Sequence, residues 1–265
     1  MVRDITLGQY YPGNSVFHRL DARTKIIWTL VYIVALFVVN SFLGFAVAGG
    51  VLLGVILISK VPIKFIFRGL KVIFLILIFT FVLNMFMTDG KVWWKWGFLT
   101  LTQEGFYRAC FMAIRLVLLV IGTSLMTFCT RPMELTDGLE KLMKPLTVVG
   151  VSAHEIALMM TIALRFIPTL LEETDKIMKA QQARGADFES GNIIQRAKAL
   201  IPILIPLFIS SFRIAQDLAL AMEARCYHGG KGRTRMNESK FSGRDMVCAV
   251  LMVVFMGAII AMRVL

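Results

Sequence analysis

Five apolar runs, most of them about the length of a bilayer's hydrocarbon core, constrain this chain more than any other feature. They extend from Ile26, after Lys25, to about Phe42, from Phe45 to Ile58, from Ile63 to Met87, from Phe106 to Phe128 and from Met246 to Val264. About twenty apolar residues are needed to cross the hydrocarbon as a helix, a length the second run reaches only marginally. Backbone polar groups have no water to bond in that medium, so each run must close its hydrogen bonds within itself, as a helix does. The composition agrees: 57% of the 265 residues are hydrophobic and 17% charged, against about a quarter charged in soluble domains. The predicted fold is all-α, a polytopic membrane protein with five spans. Gly49, Gly50 and Gly54 in the second run predict a closely packed helix. The polar arm is followed by a full-length span rather than a short apolar core, which argues against a cleavable signal.

The net charge of +12 is spread around the apolar runs rather than gathered in one block, which argues against nucleic-acid binding and for the positive-inside rule. Arg3, Arg19, Arg23 and Lys25 precede the first run, and Lys60, Lys64, Arg68 and Lys71 surround the turn into the third. Residues 39–44 carry no charge, and the loop Thr88–Gln103 mixes Asp89 with Lys91 and Lys95 beside Trp93, Trp94 and Trp96, expected as interfacial anchors. This places the N-terminus inside and the C-terminus outside. The segment Arg131–Arg244, with sixteen Lys or Arg against twelve Asp or Glu, is then cytoplasmic. Three regions follow: 1–130 with the arm and four spans, 131–242 inside, and 243–265 with the last span. Cys110, Cys129, Cys226 and Cys248 have no metal-ligand spacing and suggest neither a disulfide nor a zinc site.

Within the inside segment, Pro132 suits the first turn of a short helix ending near Lys144-Pro145. Ser152-Ala153-His154-Glu155 predicts a capping box. The helix it opens carries an apolar stripe through Ile156, Met159, Met160, Ala163, Ile167, Leu170, Leu171, Ile177 and Met178. Glu172, Glu173, Asp175, Lys176 and Lys179 occupy the other face, and Pro168 should kink it. A third helix runs from Ile193 to about Tyr227, and its stretch Ala199–Phe212, with Pro202 and Pro206, is expected to be buried or interfacial rather than a span. Arg213 is expected to pair with Asp217 and Glu223 on this helix, and Lys231–Arg235 forms a polar connector. The two long helices end in matching tripeptides, Ala183-Arg184-Gly185 and Ala224-Arg225-Cys226. An arginine at a helix C-terminus complements the macrodipole and presents a rigid five-donor fork. Two such forks suit acidic sockets on a partner. Met159, Met160, Met178 and Met222 supply a soft surface that suits an exchangeable partner.

No Walker motif, nucleophile elbow or metal-ligand spacing is present, and His18, His154 and His228 are far apart, so the chain is not expected to be an enzyme itself. Arg108 and Arg115 lie on one face of the fourth run; Arg108 is expected to snorkel to an end and Arg115 to anchor a helix contact. A self-contained secondary transporter is the alternative from another class. It would need an intramembrane polar site, of which only Arg108, Arg115 and Asn84 are candidates.

Three blocks resemble the transmembrane T component of energy-coupling factor (ECF) transporters, a branch of the ABC importers. They are Tyr11-Pro12-Gly13-Asn14-Ser15-Val16-Phe17-His18-Arg19-Leu20-Asp21-Ala22-Arg23-Thr24-Lys25, then Ala163–Pro168 running on through Gln181–Ala186, and Ala221–Tyr227. Ala22 stands where proline is common in the family, and Cys226 where glycine is frequent. The resemblance implies a scaffold joining two cytosolic ATPases, the different tripeptides suggesting non-identical ones, to a small membrane-embedded S component that binds a vitamin or transition-metal ion. It implies that Ala183, Arg184, Gly185, Ala224, Arg225 and Cys226 dock the ATPases, and that Met159, Met160, Ile167, Leu170, Met178 and Met222 face the S component. No cofactor would be bound by this chain; ATP and Mg would be used by the partner ATPases.

Overall fold

A computed structural model describes residues 10–88, 91–96, 99–150, 152–188, 192–229 and 241–264. Among the described residues eight α-helices follow one another: α1 (Ala22–Val38), α2 (Phe42–Ser59), α3 (Ile63–Met87), α4 (Gln103–Cys129), α5 (Pro132–Met143), α6 (Ala153–Ala183), α7 (Ile193–Ala224) and α8 (Gly243–Val264). A short 3-10 helix, Lys144–Val149, links α5 to α6, and a β-hairpin pairs β1 (Val92–Trp96) with β2 (Leu99–Thr102) between α3 and α4. The chain divides into two compact units, the division falling within α5 between Gly138 and Leu139.

The first unit holds α1–α4, the hairpin, the first half of α5 and α8. Its helices start where side chains satisfy the orphan N–H groups of a first turn. Asp21 accepts from the Arg23 N–H in α1, Ser41 from Gly44 in α2 and Thr102 from Gly105 in α4. Its core joins Tyr32, Ala35 and Leu36 of α1 to Phe45, Ala48 and Leu52 of α2, Leu125 and Phe128 of α4, and Phe255 and Ile259 of α8. The Trp28, Tyr32 and Phe255 rings stack with centroids 5.8–6.1 Å apart. A close approach between α1 and α4 is made at Gly122: a Cβ there would sit 2.8 Å from Tyr32 Cε1.

The second unit holds the rest of α5, the 3-10 helix, α6 and α7. Here α6 and α7 pack against each other, while nearly all their remaining surface is open; among the described residues of α7 only Ile203 is buried.

Several expectations are corrected. The expected capping box at Ser152 does not form, since the Ser152 side chain accepts no cap bond; one arm of a capping box forms at α7 instead, where the Asn192 N–H donates to Gln195 Oε1 at 3.1 Å. Gly50 and Gly54 face open space and Gly49 meets only Leu118 at 3.8 Å, so these glycines do not mediate close packing. Residues expected to form a simple loop after α3 form the hairpin. Arg213 makes no ion pair with Asp217 or Glu223. The stretch Ala199–Phe212 is part of one 32-residue helix and, apart from Ile203, is not buried in this chain.

The number of long apolar helices is again five, but not the same five. By length and composition α2, α4, α6, α7 and α8 can each cross a membrane, and the halves of α3, Ile63–Lys71 and Ile73–Met87, make a sixth if their 58° bend is taken as one broken span. The helix formed by the first run, α1, has 17 residues, about 26 Å of helix, and falls just short. Arg3, Asp89, Gly230 and the connector Lys231–Arg235 lie outside the described residues, as do the side chains of Arg68, Trp93, Trp94 and Trp96.

Candidate functional site

Arg184 and Arg225 occupy the same place in two copies of one backbone motif. At the end of α6 the N–H groups of Arg184 and Ala186 both donate to the Gln181 carbonyl, at 3.1 and 3.0 Å, and Gly185 N–H donates to Gln182 at 3.0 Å. At the end of α7 Arg225 and Tyr227 both donate to Met222, at 3.2 and 3.0 Å, and Cys226 donates to Glu223 at 2.8 Å. These are Schellman caps, with the residue after each arginine in the left-handed region: Gly185 has φ +88° and Cys226 φ +57°. The departure from glycine at Cys226 therefore leaves the cap intact, at the cost of holding a side-chain-bearing residue where Cβ crowds the carbonyl. All six tripeptide residues are exposed. Each arginine stands at a helix end, where the macrodipole favours a cation, and among the described residues neither makes an ion pair.

The end of α6 is tied to α7 at a pair of prolines. Pro206 has no N–H to give to the Pro202 carbonyl four residues earlier. Gln181 Nε2 donates to that carbonyl at 3.3 Å, so the residue whose own carbonyl receives both cap bonds at α6 also reaches the middle of α7. Pro168 lies within a continuous α6. Of the residues expected to face a membrane partner, Met159 is exposed to 62% and Met160 to 38%, whereas Ile167, Leu170, Met178 and Met222 are partly covered. The exposed apolar surface extends along α7 through Leu204, Ile205, Phe208, Ile209 and Phe212.

Other candidates have structural roles. Arg115 donates from Nη2 to the Val39 carbonyl at the C-cap of α1, at 3.0 Å, with its guanidinium 5.7 Å from the centroids of both Phe37 and Phe45. It anchors the α1–α2 turn to α4, as the sequence suggests, while Arg108 is exposed. His154 pairs through Nδ1 with Glu140 Oε1 at 3.1 Å, linking α5 to α6. Among the described residues no three His, Cys, Asp or Glu side chains gather as a metal site.

One polar cluster was not visible in the sequence patterns. The His18 Nε2–H donates to the Tyr11 carbonyl at 3.1 Å, which leaves Nδ1 to accept from the Ser15 hydroxyl at 2.6 Å. Burial holds the imidazole below the ordinary histidine pKa, against the opposing pull of the Tyr11 bond. The amino group of Lys25, 1% exposed, donates to the carbonyls of His18 and Cys129, both at 3.0 Å. Asp245, also 1% exposed, accepts from the Asp21 N–H through Oδ1 and the Ser242 N–H through Oδ2, both at 2.9 Å. Lys25 and Asp21 fall within a recognised block, but nothing in the sequence pattern points to Asp245, which looks like a first-turn acid of the last span.

Comparison with known proteins gives a consistent picture. The family model described as Cobalt transport protein (CbiQ) matches residues 13–236. A protein of Clostridium kluyveri named energy-coupling factor transporter transmembrane protein EcfT is 60% identical over 258 residues, covering 96% of each chain. The protein of the same name from Thermosediminibacter oceani is 55% identical over 249 residues, 94% of each chain. That of Bacillus subtilis is 44% identical over 264 residues, covering 99% of this chain and all of its own.

Proposed function

This chain belongs to the CbiQ family and is a transmembrane component of an energy-coupling factor transporter, and from that premise we propose that it is the scaffold that couples ATP hydrolysis by two cytosolic ATPases to a substrate-binding S component. The observation that carries this reading is the pair of matched caps at the ends of α6 and α7. Each arginine enters a groove on one ATPase and meets carboxylates there, where charge-assisted bonds are stronger than on an open surface. Closure of the ATPase dimer around ATP and Mg moves the grooves. The two helices, crosslinked through Gln181 and Pro202, carry that motion to their exposed apolar faces. Those faces, including Met159, Met160, Ile167, Leu170, Met178 and Met222, then change their fit to the S component, which reorients and releases a vitamin or transition-metal ion.

This reading sets α6 and α7 on the cytoplasmic side although both are long and apolar enough to span. The charge pattern supports that placement. Arg165, Glu172, Lys176 and Lys179 on α6 and Arg196, Lys198, Arg213 and Asp217 on α7 are exposed and spread along the helices. Ionised groups at such depths in hydrocarbon are costly unless paired. Helices with one apolar and one charged face suit the membrane boundary or a partner's surface. Affinity purification from native membranes tests the proposal: two ATPases and a small membrane protein should accompany the chain. Recovery of the chain alone, still active in uptake, would instead support a self-contained secondary transporter.

A further inference from the structure

The start of α1 carries buried polar contacts that join elements far apart in sequence. The last carbonyls of α4 are both claimed by the N-terminal arm and α1: Tyr11 N–H donates to Phe128 at 2.9 Å and Lys25 Nζ to Cys129 at 3.0 Å. The carbonyls at a helix C-terminus have no partners within the helix, so these bonds fix the residue at which α4 stops. Three residues later α5 begins at Pro132. Its Gly138 lies against the same turn of α1, where an added Cβ would sit 2.9 Å from Ala22 Cβ and 3.3 Å from the Arg23 nitrogen. From the other side, Asp245 binds the N–H of Asp21, the N-cap of α1, and with its second oxygen the Ser242 N–H, fixing the start of α8.

A buried lysine and a buried aspartate are poor choices for stability alone, because taking a charge out of water is costly and an apolar side chain avoids it. What they add is registry. Each of these bonds specifies one backbone atom of α1, α4 or α8, which greasy contacts do not. The absence of a side chain at Gly138 then lets α5 seat on that fixed turn. These contacts seat the first half of α5 on the bundle, and α5 opens the segment that carries Arg184 and Arg225.

We infer that Lys25, Asp245 and Gly138 form a rigid joint that positions α5 on the bundle, so that motion of the docked helices is delivered to the membrane helices instead of being lost at the α4–α5 junction. They are positioning residues, remote from the docking arginines, and the inference rests on the scaffold reading above. It predicts a particular defect: loosening the joint leaves the ATPases bound and hydrolysing but wastes their work.

The test uses the full complex with its ATPases and S component in proteoliposomes, comparing wild type with Asp245→Asn, Lys25→Met and Gly138→Ala. Asparagine keeps one acceptor of Asp245 but turns a donor toward the other N–H. The readouts are ATPase co-purification, ATP hydrolysis, and accumulation of whichever probe the wild type takes up from radiolabelled cobalt ion and a panel of radiolabelled water-soluble vitamins. Hydrolysis is expected to stay within about twofold while uptake per ATP falls at least about fivefold, and Ala22→Gly, which removes the methyl that Gly138→Ala would strike, should restore coupling in the double variant. Amide exchange at Thr130 and Arg131 reports whether the junction has loosened. Loosened variants with unchanged uptake per ATP would overturn the inference, as would Gly138→Ala with full coupling. Should either polar variant prove too unstable to purify, the milder Gly138→Ala and its Ala22→Gly partner decide the matter alone. A wild-type chain that brings down no ATPase would overturn the scaffold reading itself, and the joint with it.

Discussion

Replacing Cys226 by glycine should strengthen the end of α7, and the size of the effect follows from its backbone. Cys226 has φ +57°, where an L-residue crowds the following carbonyl at a cost of about 1–2 kcal/mol. Its side chain is exposed, so glycine forfeits no buried contact. Glycine recovers that strain but makes the unfolded chain more flexible, offsetting about 0.5–1 kcal/mol. The net gain is about 0.5–1 kcal/mol, or roughly a two- to fivefold shift in the local opening equilibrium. Amide hydrogen exchange at Arg225, Cys226 and Tyr227, whose N–H groups bond Met222 and Glu223, reads that equilibrium directly. Exchange there should slow by that factor in Cys226→Gly. Because Gly185 holds the equivalent place at φ +88°, Gly185→Cys should speed exchange at Arg184, Gly185 and Ala186 by at least as much. Unchanged or faster exchange in Cys226→Gly would refute the claim that the two arginines sit on equivalent caps with strain at one of them.

Three further outcomes are expected. Arg115→Met removes the bond to the Val39 carbonyl and the stacking on Phe37 and Phe45, and should destabilise the detergent-solubilised protein by about 2 kcal/mol; an unchanged Tm contradicts the anchoring role. Gly122→Ala forces a methyl to 2.8 Å from the buried Tyr32 ring, and its Tm should fall in line with about 1–3 kcal/mol of overpacking. His18 is held below its ordinary pKa of 6.5, so the unfolded chain takes up a proton that the folded chain resists. Its contribution is complete above that value and lost as pH falls through 6.5 and below. The melting temperature should therefore drop on acidification from neutral pH, less steeply in His18→Gln, and an identical pH profile in that variant would count against the burial argument.

Much of this architecture was legible in the chain, because its signals are long. Runs such as Phe106–Phe128 and Ile63–Met87 declare helices by length alone, and Pro132 and Gly185 mark a start and a stop by backbone geometry. The capping arginines were legible for the same reason: both sit where a helical stripe ends. What the sequence could not resolve is where an apolar helix goes. A stripe with charges on its other face satisfies the same hydropathy test as a span, so α6 and α7 joined the apolar count while α1, one residue shorter than α2, left it. Local competition decided the rest. Ser152 and Glu155 have the spacing of a capping box, but the turn before α6 does not present the serine to its partner N–H. Gly50 and Gly54 resemble packing glycines, yet only the neighbouring helices decide where a face is crowded, and one crowded glycine is Gly122 on α4, against Tyr32. Asp245 was hidden because its partner, the Asp21 N–H, lies 224 positions away in the chain.

The central claim is that Arg184 and Arg225 are the connectors to two ATPases, and charge removal at those two positions tests it most directly. Truncating one arginine leaves a partner carboxylate unpaired in a desolvated groove, a loss of about 2–5 kcal/mol, or at least roughly 30-fold in affinity. Co-purification from membranes expressing Arg184→Ala, Arg225→Ala or both, with uptake assayed on the same cells, should show impaired uptake in each single variant and loss of ATPase assembly or coupling in the double. A double variant that retains both ATPases in wild-type proportion and takes up substrate at the wild-type rate would contradict the account.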